Sequence, residues 1–157
     1  MDVDSDKFYR QGIYEAIIEG NKKKLRSLLK SEDVNVKAYL DGETYLIMAT
    51  RRDDTRAVNI LLDAGADLYT ANDMGDMAIH FAAKYGDVSM MKIFIERGMN
   101  IDVVGECGTP LGCALMFDNI DVARLLIEHG ADLSIPDELG ETALSVLKRK
   151  NLTFLIK

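Results

Sequence analysis

Two histidines, His80 and His129, and two cysteines, Cys107 and Cys113, are the residues here best suited to acid–base, nucleophilic or metal chemistry. An imidazole titrates near neutral pH and can move protons, and a thiolate can attack a substrate or ligate a metal. Their spacing supports neither use. The chain has no His-Glu-x-x-His pair, no Cys/His set at zinc intervals, no Gly-x-x-x-x-Gly-Lys phosphate loop and no Gly-x-Gly-x-x-Gly turn. No arginine or histidine adjoins either cysteine to depress its thiol pKa. Two cysteines also give no disulfide framework. Cys113, beside Ala114, is expected as a small core thiol and Cys107 as a turn residue, which suits a reducing cytoplasm. Acidic residues are many, but Asp67, Asp132 and Asp137 fall where turn geometry explains them. These features point away from an enzyme, with no catalytic residue, metal or cofactor expected.

The elements that hold these residues repeat. Gly65-Ala66-Asp67 recurs at Gly130-Ala131-Asp132, with Gly98-Met99-Asn100 between them, so the glycines are 33 and 32 residues apart. A paired apolar step precedes each glycine: Leu61-Leu62, Phe94-Ile95, and Leu125 to Ile127. Earlier in each unit a stretch begins a helix, with Leu46, Ile79, Leu111 and Leu144 in one register. Ile13, Ala16 and Leu28-Leu29 make a fainter first copy. Thr44, Thr109 and Thr142 can cap the first helix of their units, and Pro110 sits at a first helical position, where proline is tolerated. A second helix is predicted from about Thr55, Val88 and Ile120, ended by Gly65, Gly98 and Gly130. Turn-rich stretches such as Asn72-Asp73-Met74-Gly75 then project as fingers. His129, in a last helical turn, suits the helix C-terminal dipole.

These residues resemble the ankyrin repeat family. Thr109-Pro110-Leu111 carries the first half of its Thr-Pro-Leu-His signature, and Ile79-His80-Phe81-Ala82-Ala83 the second. The resemblance covers roughly residues 8–157. It implies an all-α solenoid of about five stacked helix-turn-helix units joined by β-turn fingers, forming one domain over 1–157. The units are an N-terminal cap at 8–38, internal repeats at 39–71, 72–104 and 105–136, and a truncated C-terminal cap at 137–157. For His80 the resemblance implies a structural hydrogen bond between neighbouring units. The chain also departs from the pattern. Met77-Ala78 replaces Thr-Pro, Cys107 stands where other units have Gly42, Gly75 and Gly140, and one residue is missing between Gly98 and Thr109. That last finger is expected to be short or reshaped.

Hydrophobic residues make up 48% and charged residues 29% of the 157, values of a globular rather than a disordered chain. The formal net charge of −7 argues against nucleic acid and anionic membranes as partners. Lys22-Lys23-Lys24 reads as a solvated cap. No apolar stretch approaches the ~18–20 residues that span a bilayer. The acidic start, Met1-Asp2-Val3-Asp4-Ser5-Asp6, is not a secretory signal. Polar ends, with Lys148-Arg149-Lys150 and Lys157 at the close, and the initial methionine lead to the expectation of a complete protein.

The resemblance implies that a protein partner docks on the concave side, formed by the fingers and the exposed end of each first helix. The helix positions are Arg51-Arg52, Lys84-Tyr85, Met116-Phe117 and Arg149-Lys150. The finger positions are Leu40, Asp41 and Glu43; Asp73, Met74 and Asp76; Gly105, Glu106 and Gly108; and Glu138, Leu139 and Glu141. The helix row is basic at both ends with Tyr85, Met116 and Phe117 between, while the finger row is acidic around Met74 and Leu139. Two placements stay open. The aromatic and methionine side chains form an interface centre, or Met116 and Phe117 pack inward and Tyr85 covers a neighbouring helix. The flanking cations suit a partner segment with acidic ends, or are simply solvated. The leading function is a cytoplasmic, monomeric adaptor or inhibitor without chemistry of its own. The alternative is a structural protein that homodimerises through the Tyr85–Phe117 patch. A small-molecule or peptide-carboxylate binder is a third reading, disfavoured by the lack of an enclosing fold feature.

Overall fold

A computed structural model describes residues 12–37 and 41–156. The expectations for the acidic amino terminus, for Leu40 in the first finger and for Lys157 lie outside the described residues.

The chain is helical over 12–18 (α1), then over Lys22–Leu28 (α2), Tyr45–Arg51 (α3), Thr55–Asp63 (α4), Ala78–Tyr85 (α5), Val88–Glu96 (α6), Pro110–Met116 (α7), Ile120–Glu128 (α8) and Ala143–Arg149 (α9), with a final 3₁₀ turn at Thr153–Ile156. The helices stack in two rows. Within pairs, α3 packs on α4, α5 on α6 and α7 on α8. Between pairs, α3, α5, α7 and α9 touch in succession, as do α2, α4, α6, α8 and the 3₁₀ turn. This is an all-α repeat solenoid, in which each unit covers its apolar face with its neighbours.

Local chemistry sets the helix starts. Thr44, Thr109 and Thr142 accept from the N–H groups of Ile47, Gly112 and Ser145, satisfying donors the helix leaves orphaned. Asn21, Asp54 and Asp87 do the same for α2, α4 and α6. The second helices start at Thr55, Val88 and Ile120, and Gly65, Gly98 and Gly130 follow their ends with φ of 91°, 74° and 83°. That left-handed geometry is where glycine escapes the Cβ penalty. The turn inside each pair also reaches left-handed angles once, at Gly20, Asp53, Gly86, Asp118 and Asn151. Asp and Asn visit this region more readily than other residues, so the register is kept without glycine.

The first helices are buried almost all round: Tyr45 to Thr50 in α3 and Ala78 to Ala83 in α5 are all inside. The second helices bury one face, with Met90, Met91 and Phe94 of α6 fully enclosed. Burying a side chain of this size contributes about 1.5–3 kcal/mol. Between units, the Asn119 amide donates to the Ala83 and Lys84 carbonyls at 2.8 and 2.9 Å, and Lys150 Nζ donates to Leu115 O at 2.8 Å. Each reaches carbonyls in the last turn of the preceding first helix, where acceptors find no N–H partner inside the helix. The lysine run is more engaged than a solvated cap: Lys22 pairs with Asp54, and Lys24 lies 3.3 Å from Glu15.

Candidate functional site

The fingers carry one row of the expected partner-binding residues. In the finger at residues 72–76, Asn72 N–H donates to Asp76 O, and Asn72 Oδ1 accepts from Met74 and Asp76 N–H. The finger at 137–141 repeats this with Asp137, which accepts from Leu139 and Glu141 N–H. The finger between them is different. Gly105 and Gly108 exchange both backbone hydrogen bonds, at 2.9 and 3.1 Å, across only Glu106 and Cys107. The missing residue is lost from this loop, as its expected shortness requires. The left-handed position moves to Gly108 (φ 81°), so Cys107 does not take the backbone role of Gly42, Gly75 and Gly140.

Two expectations are corrected here. The cysteines are joined, Cys107 to Cys113, across 5.4 Å between Cα atoms. The two-residue loop folds Cys107 back over the start of α7 and within disulfide reach of Cys113, an approach that spacing along the chain does not show. Neither is a free thiol, and the inference of a reducing cytoplasm drawn from free cysteines falls with them. Second, Asp76 and Glu43 are buried rather than part of an exposed finger row. Asp76 accepts from Glu106 N–H at 2.8 Å in the next finger, and Glu43 pairs with Arg51.

His80 is enclosed and structural. Its Nδ1 accepts from Met77 N–H at 2.9 Å, and Nε2 faces Val103 O in the following unit at 3.2 Å. The resemblance implied such a bridge between units. Desolvation by burial lowers its pKa, while the nearby Asp76 charge opposes that effect in part. His129 turns Nδ1 to Leu125 O at 2.8 Å, binding a last-turn carbonyl.

Among the residues expected at the partner-binding face the open placements resolve towards exposure. Tyr85 is 54% exposed, Met116 50% and Phe117 43%; at the finger tips Met74 is 55% and Leu139 93% exposed. The cations around them are held within the chain. Glu43 takes Arg51, and Arg149 donates to both oxygens of Glu141 at 2.8 and 3.0 Å. Arg52 donates to Ile18 O at 3.2 Å, and Lys84 Nζ lies 5.1 Å from the Phe117 ring centre. Burial works to lower the Arg51 pKa, but the Glu43 carboxylate and the Tyr85 hydroxyl outweigh it and hold the guanidinium above its ordinary value.

The three central side chains do not form one patch with a single setting. Tyr85 lines a shallow groove with Met48, Arg51 and Arg52, whereas Met116 lines a cleft of about 170 Å³ against Val146, Glu141 and Arg149. Phe117 takes the lysine between them. Asp73, on the finger, lies 3.3 Å from Lys37. Among the described residues no group of three or more His, Cys, Asp or Glu is placed to hold a metal, and no helix is long and apolar enough to cross a membrane.

The sequence model of ankyrin repeats in three copies matches residues 54–137, just over half of the chain. The protein belongs to the ankyrin repeat family. It is 41% identical over 69 residues to the ankyrin repeat and LEM domain-containing protein 1 homolog of Caenorhabditis elegans, covering 43% of this chain and 10% of that protein. It is 30% identical over 139 residues to the E3 ubiquitin-protein ligase KEG of Arabidopsis thaliana, covering 80% of this chain and 8% of the ligase. With protein PhlB of Serratia liquefaciens it shares 33% identity over 110 residues, 69% of this chain and 48% of PhlB. The chain thus spans less than half the length of each of these relatives.

Proposed function

We propose that this chain is a non-catalytic interaction module, an adaptor or inhibitor, that binds another protein through the concave face of one domain built from the units at 8–38, 39–71, 72–104, 105–136 and 137–157. Ankyrin repeats are in general protein–protein interaction modules, and these helices enclose a core rather than a substrate cavity. One observation carries the choice of face. Tyr85 and Phe117 occupy matching positions at the ends of α5 and α7, Met116 adjoins Phe117, and all three are about half exposed. Exposed large apolar side chains gathered at successive helix ends mark an interaction site, here as two neighbouring depressions bridged by Phe117 and Lys84. Arg51, Arg52, Lys84 and Arg149 frame this floor, while Asp73, Met74 and Leu139 form its rim. The surface is preformed on helix ends, so docking orders little of it and loses little entropy.

Affinity capture with the wild type beside a Tyr85→Ala, Met116→Ala, Phe117→Ala variant tests the reading, with thermal melts of both. The expected result is a protein held by the wild type and released by an equally stable variant. Retention by the variant would move the binding surface elsewhere.

A further inference from the structure

We infer that the concave face takes a basic peptide segment of another protein, its cations meeting the finger carboxylates and its apolar side chains the floor at Tyr85, Met116 and Phe117. The inference rests on the concave-face reading and adds the chemistry of the partner.

Unbalanced charge decides it. The cations of the helix row already have partners inside the chain. Arg51 and Arg149 are paired with Glu43 and Glu141, and Lys150 lies 2.6 Å from Asp118. Arg52 and Lys84 keep their formal charge, but Arg52 donates to a backbone carbonyl and Lys84 lies over the Phe117 ring. A partner's carboxylate would have to displace these contacts. The finger row is the reverse: Asp41, Glu106 and Glu138 are exposed and have no ion pair among the described residues. Asp73 is matched only by Lys37, with both side chains about half exposed. Among the described residues the rim therefore carries unpaired carboxylates on three of its fingers, whereas on the floor only Arg52 and Lys84 lack a carboxylate partner, and both are engaged by a carbonyl or a ring.

The same comparison explains why the apolar centre is where it is. In the outer units a glutamate at the base of the finger reaches the arginine at the helix end, as Glu43–Arg51 and Glu141–Arg149 show. In the two middle units those finger positions hold Asp76, turned to Glu106 N–H, and Gly108, which has no side chain. The matching helix positions are Lys84 and Met116, so the ion pair is absent and an apolar floor is left under an acidic rim. Beside Met116 the cleft against Val146 is large enough for one aliphatic or aromatic anchor. A second copy of this chain is the wrong sign for that rim, since each copy carries a net charge of −7.

The test is a selection from a random peptide display library on the immobilised full chain, followed by affinity measurements with the leading synthetic peptide. The selected peptides are expected to carry Lys or Arg on either side of an aromatic or aliphatic residue. Their affinity should fall about tenfold between roughly 50 and 300 mM salt, because exposed charges are screened over such distances. An Asp41→Lys, Glu106→Lys, Glu138→Lys variant should bind at least about tenfold more weakly, and Tyr85→Ala with Phe117→Ala should abolish binding. All these positions are exposed, and a melt confirms that each variant is folded. Acidic or uncharged selected peptides, or an affinity indifferent to the charge reversal, would overturn the basic partner while leaving concave docking intact. Binding that survives the Tyr85 and Phe117 changes would overturn the concave reading itself, and a library that yields no binder overturns both.

Discussion

Met77 donates its backbone N–H to Nδ1 of His80, and that bond fixes the tautomer, because Nε2 must then carry the proton given to Val103 O. The imidazole is neutral in the fold, and burial holds its pKa below the ordinary value. A lowered histidine pKa stabilises the fold fully above the unfolded value, near 6.5, and that stability is lost as pH falls below it. Urea midpoints are therefore expected to drop as pH falls below about 6.5. His80→Gln should flatten this part of the profile and cost about 1–3 kcal/mol at neutral pH, since a buried donor or acceptor is left unmet. An unchanged slope in the variant would assign the titration to another group. At this scale the sequence was legible where one residue answers to its own backbone, as with the threonine caps. Asp76 and Glu43 were not, because their burial depends on where the adjacent finger and helix end come to lie.

The third finger shows an element whose geometry follows from one deletion. Losing a residue makes a two-residue loop, shifts the left-handed position to Gly108, and brings Cys107 to Cys113. The shortening could be read from the sequence, but the crosslink depends on the loop's final path. A crosslink closing so short a loop removes little chain entropy, and its reduction should cost about 2 kcal/mol. A melt with a dithiol reductant checks this: the wild type should lose stability, and a Cys107→Ser, Cys113→Ser variant should not respond. The turn between α3 and α4 makes a second prediction. Asp53 is hydrogen-bonded to Asp87, and that contact, with some burial and the Asp87 charge, raises its pKa to about 6. A raised carboxyl pKa stabilises most below the unfolded value, near 3.8, and that contribution is lost as pH rises through about 6. Asp53→Asn should therefore stabilise the protein at pH 7.5, by less than about 1 kcal/mol because Asp53 is exposed, with the gain vanishing near pH 4. Asparagine also accepts the left-handed angle at this position. Melting temperatures at the two pH values decide it, and a gain that persists at pH 4 would point to the backbone instead of the charge.

Among the described residues the main contacts of each pair of helices are with its neighbours, so stability is close to a sum of unit terms and interface terms passed along one line. The repeat register, visible as glycines 33 and 32 residues apart, made this architecture legible. The exposure of Met116 and Phe117 was not, since it depends on how the short finger seats the unit. Linear stacking predicts that the same kind of truncation has different reach at different places. Phe94 is fully buried in α6, which packs on α4, α5 and α8. Phe94→Ala should cost about 3–5 kcal/mol and speed hydrogen exchange throughout the array, because it weakens two interfaces that hold both halves together. Leu155 is buried in the terminal 3₁₀ turn, which contacts α8. Leu155→Ala should open only the end, raising exchange in α9 and the 3₁₀ turn while α3 to α6 keep their protection. The Lys150 bond to Leu115 O would go with that end, loosening the cleft wall beside Met116. Amide exchange read peptide by peptide separates the cases, and a uniform response to both changes would mean that the array folds as one cooperative block instead of a line of neighbours.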